Sequence, residues 1–288
     1  MADDISSLSF AQQRFIDYLK SKNRSISTIL AYGKDIEQLV EFLAAKKITQ
    51  TQTVTSENLE EFKADLVQKK YTPKSISRKL NSVKTFFRFL KSEGAITENV
   101  AQTVAHPKYD VKAPRILSKM EYRALRDACR DDARMAAVVE LMLQTGVRIG
   151  EVARLELGDI KEDELSIKAY ESQPARTIPL NKTACSAINR YLTERQKTRS
   201  KALFVTKTGK PLLVRNIRTA LDRYFRLAGL SNVKVNDLRS TWIAYQLAAG
   251  TSLILLSKIA GHKRLSTTEK YLQSVKPEGE GKAKLEEL

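Results

Sequence analysis

The stretch Met135-Ala-Ala-Val-Val-Glu-Leu-Met-Leu-Gln-Thr-Gly-Val-Arg-Ile-Gly-Glu151 turns from apolar to charged within a few residues. Up to Gln144 it is almost continuously apolar, the mark of a helix buried on every side. Gly146 breaks that helix, and Arg148 stands at the start of the next. A guanidinium beside a helix N-terminus meets unpaired backbone N–H groups, a combination that grips phosphate. Glu151 is placed to brace it. An Arg–Glu surface pair fits the same residues, so both readings stand at this point.

Downstream the pattern is mixed. Glu164–Ala169 and Arg176–Leu180 read as short strands, with Leu203–Val205 as a third. Helical periodicity returns over Val214–Leu227, Leu238–Ala249 and Leu253–Ala260. Three polar groups punctuate these helices. Asn236-Asp-Leu-Arg239 opens one, Ala260-Gly-His262 closes another, and Thr267-Thr-Glu-Lys-Tyr271 places a tyrosine on a further amphipathic helix. Singly, each has a structural explanation: a cap with a surface cation, a helix-ending turn, a half-buried aromatic. From Val275 a Gly- and charge-rich tail ends in Lys-Ala-Lys-Leu-Glu-Glu-Leu288, read as a short helix for docking on a partner.

Upstream, Ser118-Lys-Met-Glu121 is a capping box for a helix through Cys129. His106-Pro-Lys-Tyr-Asp-Val-Lys-Ala-Pro-Arg115 is a linker bracketed by prolines. Extended, it spans roughly 30 Å, enough to pass along a DNA duplex, although an ordinary hinge has the same composition. Before it come helices: one over Phe10–Lys20, one capped by Ser25 or Ser27, one behind Thr55-Ser-Glu-Asn58, and one begun by Thr72-Pro73 and ended by Gly94. The last places Ile76, Leu80, Val83, Phe87 and Leu90 on one face. From Lys69 to Lys91 it carries eight basic residues and no acidic one. A solvated face is one reading. Without compensating acids such a helix repels itself, which favours contact with phosphates through Lys74, Arg78, Lys79, Lys84 and Arg88.

Composition agrees with this and excludes other classes. In 288 residues there are 50 Lys plus Arg against 33 Asp plus Glu, a net charge of +17 that attracts polyanions. Apolar residues make up 42%, enough for packed cores in one large or two ordinary domains. No stretch approaches the ~18 apolar residues of a spanning helix, and the acidic start Met-Ala-Asp-Asp has no apolar leader. A cytoplasmic protein without a membrane partner is expected. Cys129 and Cys185 are distant in sequence, with only His106 and His262 besides, so neither a disulfide framework nor a metal site is expected.

Taken in order, Thr-Gly-Val-Arg-Ile-Gly-Glu151, Asp-Leu-Arg239, Ala-Gly-His262 and Thr-Thr-Glu-Lys-Tyr271 resemble the signature of the tyrosine recombinase (phage-integrase) family, framed as TGxRxxE, HxLR, LGH and TTxxYxH. The first lobe matches the family's core-binding domain in Ser25, Thr28 and Tyr32 and in its basic Ser-Val-Lys-Thr-Phe-Phe-Arg-Phe-Leu90 helix. The length is most similar to that of the compact Xer-type members. The resemblance implies a mainly α fold with a small β-sheet in two lobes. Residues 1–105 would be a helical core-binding domain, 106–116 a linker, and 117–288 an α+β catalytic domain with a C-terminal tail.

Carried over residue by residue, the resemblance implies that Arg148 and Arg239 grip the scissile phosphate. His262 would assist near the nucleophile, and Tyr271 would attack phosphorus to give a 3′-phosphotyrosyl linkage. It implies no metal or other cofactor. The partner would be double-stranded DNA with specific recombination sites, worked on by a homotetramer or heterotetramer.

Two departures from the family frame matter. Aligning Arg176 and Pro179 with the family's hairpin places Glu171 where a general-acid lysine is expected. Lys168, three residues out of register, is the remaining candidate. Asn236 occupies the usual His position of HxLR, and an amide does not transfer protons at neutral pH. Losing one proton-transfer group costs on the order of 10²–10⁴ in rate. Site-specific recombination (integration, excision or chromosome-dimer resolution) is therefore the leading expectation. A recombinase-like DNA-binding protein with weakened or lost catalysis is the runner-up, and a topoisomerase-like nicking enzyme is third.

Overall fold

The computed structural model describes residues 5–110, 113–171 and 173–274. The chain divides into two compact units, Met1–Val111 and Lys112–Leu288.

The first unit is helical, as its periodicity predicts: α1 Leu8–Ser21, α2 Ile26–Ala45, α3 Ser56–Gln68 and α4 Pro73–Ser92. Its boundaries are set by local chemistry. The Ser25 hydroxyl accepts from the Thr28 N–H, Thr55 and Asn58 cap each other reciprocally, and Thr72 caps α4 with Pro73 in its first turn. Gly94 takes φ +74° just past the end of α4. The stripe Ile76, Leu80, Val83, Phe87 and Leu90 is fully buried, against Phe15, Ile36, Leu39 and Phe62 from the other helices.

One part of α4 departs from the expected basic surface. Asp35 of α2, 2% exposed, accepts from Arg78 through both carboxylate oxygens (2.5 and 2.8 Å), from Lys79 (2.9 Å) and from Ser82 (2.7 Å). Lys79 also donates to Gln38 at 2.5 Å and is 5% exposed. It is therefore an internal ion-pair partner of α2 rather than part of a DNA-facing surface. Burial alone would raise the Asp35 carboxyl, but donors from Arg78, Ser82 and Lys79 hold it below the usual carboxylate range.

The second unit contains α5 Lys119–Ala128, α6 Ala133–Thr145, the single turn α7 Ile149–Val152, and a three-stranded antiparallel sheet in the order β1-β2-β3. The strands are β1 Ile160–Lys161, β2 Glu164–Ile167 and β3 Arg176–Pro179, with β2 and β3 registered from Glu164 opposite Pro179 to Ile167 opposite Arg176. There follow α8 Lys182–Glu194, α9 Val214–Leu227, α10 Val235–Ala248, α11 Leu253–Ala260 and the one-turn α12 Ser266–Glu269. The expected strand at Leu203–Val205 does not form. That segment is buried, but its pairing is a lone bridge from Val205 to Pro211. Its apolar residues reflect burial under α6 and α8, and the third strand is instead the short β1. As read from its sequence, α6 is the core helix, with nine of its residues buried. The expected C-terminal docking helix lies outside the described residues. Among the described residues no helix is long and apolar enough to cross a membrane.

Candidate active site

The C-terminal end of α11 organises the site. Its last carbonyls have no partner within the helix and carry the negative end of the dipole. Three of them accept from three different arginines. Ile259 O accepts from Arg176 Nε (2.7 Å), Ala260 O from Arg239 Nη2 (2.6 Å), and Gly261 O from Arg148 Nη2 (2.8 Å). Gly261 caps the helix at φ +67°, and a Cβ there would lie 3.1 Å from the Arg176 guanidinium, so backbone and packing both favour glycine.

Each arginine is held at a second point. Gly146 ends α6 at φ +63°, and its carbonyl accepts from Arg239 Nη1 at 2.5 Å. A Cβ on Gly146 would come within 2.2 Å of the Trp242 ring, so this turn too admits only glycine. Arg148 is the N-cap residue of α7, and Glu151 folds back on it. One Glu151 oxygen accepts from the Arg148 backbone N–H (2.8 Å), the other from its Nη1 (3.0 Å). The same carboxylate takes a bidentate pair from Arg176, both bonds at 2.8 Å. Both side chains of that pair are 6% exposed.

Burial and charge set the protonation states. Burial would raise the Glu151 carboxyl, yet the Arg176 and Arg148 hydrogen bonds and charges bring it to about 2. Burial, then the neighbouring Arg148 charge, lowers Arg239 to about 9, which leaves it a cation at neutral pH. His262 follows the helix cap, its N–H on Ser257 O and its Nδ1 2.8 Å from the Thr268 hydroxyl. Burial and the charges of Arg239, Arg148 and Arg176 bring its imidazole to about 4, so it is neutral at pH 7.

Tyr271 lies in the turn that follows α12, not on a continuous amphipathic helix. It is 8% exposed and packs against Trp242, Ile243, Leu256 and Ala260. Its ring is parallel to that of His262, with centroids 6.5 Å apart, and its hydroxyl is 3.2 Å from Ser240 Oγ, next to Arg239 on α10. Arg148, Arg239, His262 and Tyr271, dispersed over more than a hundred residues of chain, thus converge on the junction of α7, α10 and α11.

The chain matches two family models. Residues 115–278 match the phage integrase family, and residues 13–94 match the phage integrase N-terminal SAM-like domain. The chain belongs to the phage integrase family. It is a Xer-like, site-specific tyrosine recombinase. It is 30% identical to tyrosine recombinase XerC of Listeria monocytogenes serovar 1/2a (strain ATCC BAA-679 / EGD-e), covering 92% of this chain and 93% of the relative. It is likewise 29% identical to tyrosine recombinase XerC of Roseiflexus castenholzii, covering 87% and 84%. Among solved structures it resembles XerA recombinase (TM-score 0.53, 25% identity, 92% and 93% covered). It shares its fold with the Tn1549 transposon integrase in complex with a circular intermediate DNA (TM-score 0.78, 17% identity, 92% and 94% covered).

Within the recombinase the other expected residues are placed less uniformly. Asn236 is exposed at the second position of α10, one turn before Arg239. Lys168 directly follows β2, where its ammonium pairs with Glu156 and, at 3.2 Å, with Asp159. Glu171 stands in the turn of the β2–β3 connection at φ +51°. In the first unit Lys74 and Arg88 are exposed, and no ion pair joins either to a carboxylate among the described residues. Lys84 donates to Gln102 O at 3.4 Å. The reading of motifs missed Arg176 as a member of the arginine cluster, and missed Ser240 and Thr268 as the partners of Tyr271 and His262. Arg176 had a signal: it is the arginine that aligned the hairpin. Thr268 had one as well, being the second Thr of the TTxxY motif, whereas Ser240 had none, because its pairing with the phenol depends on packing alone. Among the described residues, no group of His, Cys, Asp and Glu is arranged to hold a metal ion.

Proposed function

We propose that this recombinase cuts and rejoins double-stranded DNA at specific sites through a 3′-phosphotyrosyl intermediate on Tyr271. The observation that carries this reading is the gathering of guanidiniums at the end of α11, beside a neutral imidazole and a phenol. Arg148 and Arg239 bind the non-bridging oxygens of the scissile phosphate. Two of Arg239's five N–H groups are engaged with carbonyls, which leaves three for substrate. Their fixed charge stabilises the pentacoordinate transition state without reorganisation. With Nδ1–H donated to the Thr268 hydroxyl, the neutral His262 keeps its lone pair on Nε2, which takes the phenolic proton as the tyrosine oxygen bonds to phosphorus. The P–O5′ bond then breaks, and the leaving 5′-oxygen takes a proton from Lys168. Asn236 supplies a hydrogen bond to phosphate in place of the family's histidine, and Glu171 supplies no acid.

Tyr271 reaches the phosphate by leaving Ser240. Its backbone lies between a one-turn helix and a 3₁₀ turn, so few regular hydrogen bonds oppose the movement. The cations of α4, the exposed Lys74, Arg78 and Arg88 with the half-buried Lys84, bind phosphates flanking the site. The assembly on DNA is a homotetramer or heterotetramer bringing two sites together, and the task is integration, excision or dimer resolution in the cytoplasm. The expected division of the chain, residues 1–105 for DNA binding and 117–288 for chemistry, assigns the roles of the two units.

The test incubates the full chain with a library of nicked duplexes randomised around the nick. Denaturation, capture of protein-linked DNA and sequencing then reveal the site. Wild type is expected to enrich a defined sequence and Tyr271→Phe to retain DNA binding without any adduct. DNA binding with no adduct from wild type would overturn the catalytic reading. It would favour a recombinase-like DNA-binding protein, which the engaged Lys168 and buried Tyr271 motivate.

A further inference from the structure

The ion pairs of Lys168 lie in a cavity of about 510 Å³ lined by Glu151, Arg154, Glu156, Asp159, Lys168 and Tyr170, among others. Glu151, the carboxylate that holds Arg148 and Arg176, and Lys168 therefore open onto one space. Strand pairing ends at Ile167 opposite Arg176, so Lys168 is the first residue past the ladder. On the other leg Arg176 is locked to Glu151 and to α11, whereas on the Lys168 leg backbone pairing resumes only at Tyr170, bridged to Gln173.

Two side-chain contacts hold Lys168 and Tyr170 in place. The Lys168 ammonium sits between Glu156 and Asp159, and the Arg154 guanidinium stacks 3.7 Å from the centroid of the Tyr170 ring. The two carboxylates differ in character. Asp159 is 5% exposed, and its other oxygen accepts from the Glu156 backbone N–H at 2.8 Å, so it is a rigid anchor. The Glu156 side chain is 45% exposed and forms the movable arm. The Lys168 side chain is 61% exposed, so solvent and salt weaken the clamp. A DNA phosphate entering the cavity competes with Glu156 for the same ammonium, and the clamp yields without disturbing the sheet.

We propose that Glu156, anchored by Asp159, is a positioning residue that keeps Lys168 clamped until DNA displaces it, so that the general acid is delivered only on bound substrate. The proposal rests on the reading of Lys168 as the proton donor to the 5′-oxygen. In that step the tyrosine–phosphorus bond forms, the P–O5′ bond breaks, and one proton passes from Lys168 Nζ to O5′, leaving a neutral amine. The hydrogen bonds that Lys168 donates to Glu156 and Asp159 raise its pKa, which opposes that transfer while the clamp is closed.

The experiment measures single-turnover adduct formation by the full chain on the nicked duplex selected above, in two forms. One has the natural 5′-oxygen at the scissile bond. The other has a 5′-bridging sulfur, which leaves as a thiolate and needs no proton. The readout is the ratio of oxygen-ester to sulfur-ester cleavage, in which any general effect on folding or binding cancels. Lys168→Ala is expected to lower that ratio by at least about 10²-fold. Glu156→Gln, on an exposed side chain, is expected to raise it about two- to fivefold. The double variant should match Lys168→Ala. An unchanged or lowered ratio in Glu156→Gln overturns the clamp, and so does Lys168→Ala slowing both esters equally or neither. Failure of wild type on both esters would instead defeat the strand-cleavage reading, and the clamp with it.

Discussion

His262 shows how environment converts an ordinary residue into a specialised one. Burial and three guanidiniums lower its imidazole from 6.5 to about 4. Between those values the unfolded chain binds a proton that the folded chain refuses. Stability therefore falls as pH drops from about 6.5 towards 4 and levels off below, where both states are protonated. Replacing His262 by Gln should flatten that part of a plot of unfolding midpoint against pH, and equal slopes in both proteins would contradict the assignment. The residue itself was legible, because a histidine after Ala-Gly has a place in the family frame. Its neutrality was not, since the arginines that enforce it come from α7, α10 and β3. The same holds for Arg176, whose partners Glu151 and Ile259 are remote in sequence.

Among elements, the pairing of α2 with α4 depends on one buried carboxylate. Asp35 compensates both Arg78 and Lys79 inside an otherwise apolar interface. Removing one partner of a buried pair leaves a charge without its counterion, at a cost of about 3–5 kcal/mol. Asp35→Ala is expected to lose that amount in chemical denaturation, whereas Lys74→Ala should leave stability within about 0.5 kcal/mol. Helix boundaries were readable wherever a cap announced them, at Ser25, Thr55, Thr72 and Ser118. The strand wrongly expected at Leu203–Val205 shows the limit: a short apolar run reports burial, and only a neighbouring strand with free hydrogen-bonding groups makes it part of a sheet.

For the whole molecule the net charge of +17 is the dominant property in solution. Exposed α4 positions Lys74, Arg78, Asn81 and Arg88 fall at helical spacing on one stripe, so their cations can track a phosphate backbone. Affinity for duplex DNA should fall steeply with salt as condensed counterions are released. In a plot of log affinity against log salt, Lys74→Ala and Arg88→Ala should each reduce the slope by about 1. Lys79→Ala should leave the slope unchanged and lower the melting temperature instead, since its ammonium is committed to Asp35 and Gln38. Fluorescence anisotropy on a labelled duplex measures the first effect and thermal unfolding the second.

The class of chemistry was legible in the sequence through its resemblance to a known family. Two arginines, a histidine and a tyrosine in a fixed order carry the resemblance to the family frame, and helix caps and an apolar stripe follow from residue type and local spacing. Only the tertiary structure decided which cations are spent internally, which residues hold the Tyr271 hydroxyl and the imidazole, and that Lys168 is paired with Glu156 and Asp159. Those outcomes turn on carbonyls, carboxylates and hydroxyls from distant elements meeting in low-dielectric surroundings, where a contact of under 3 Å outweighs any local preference.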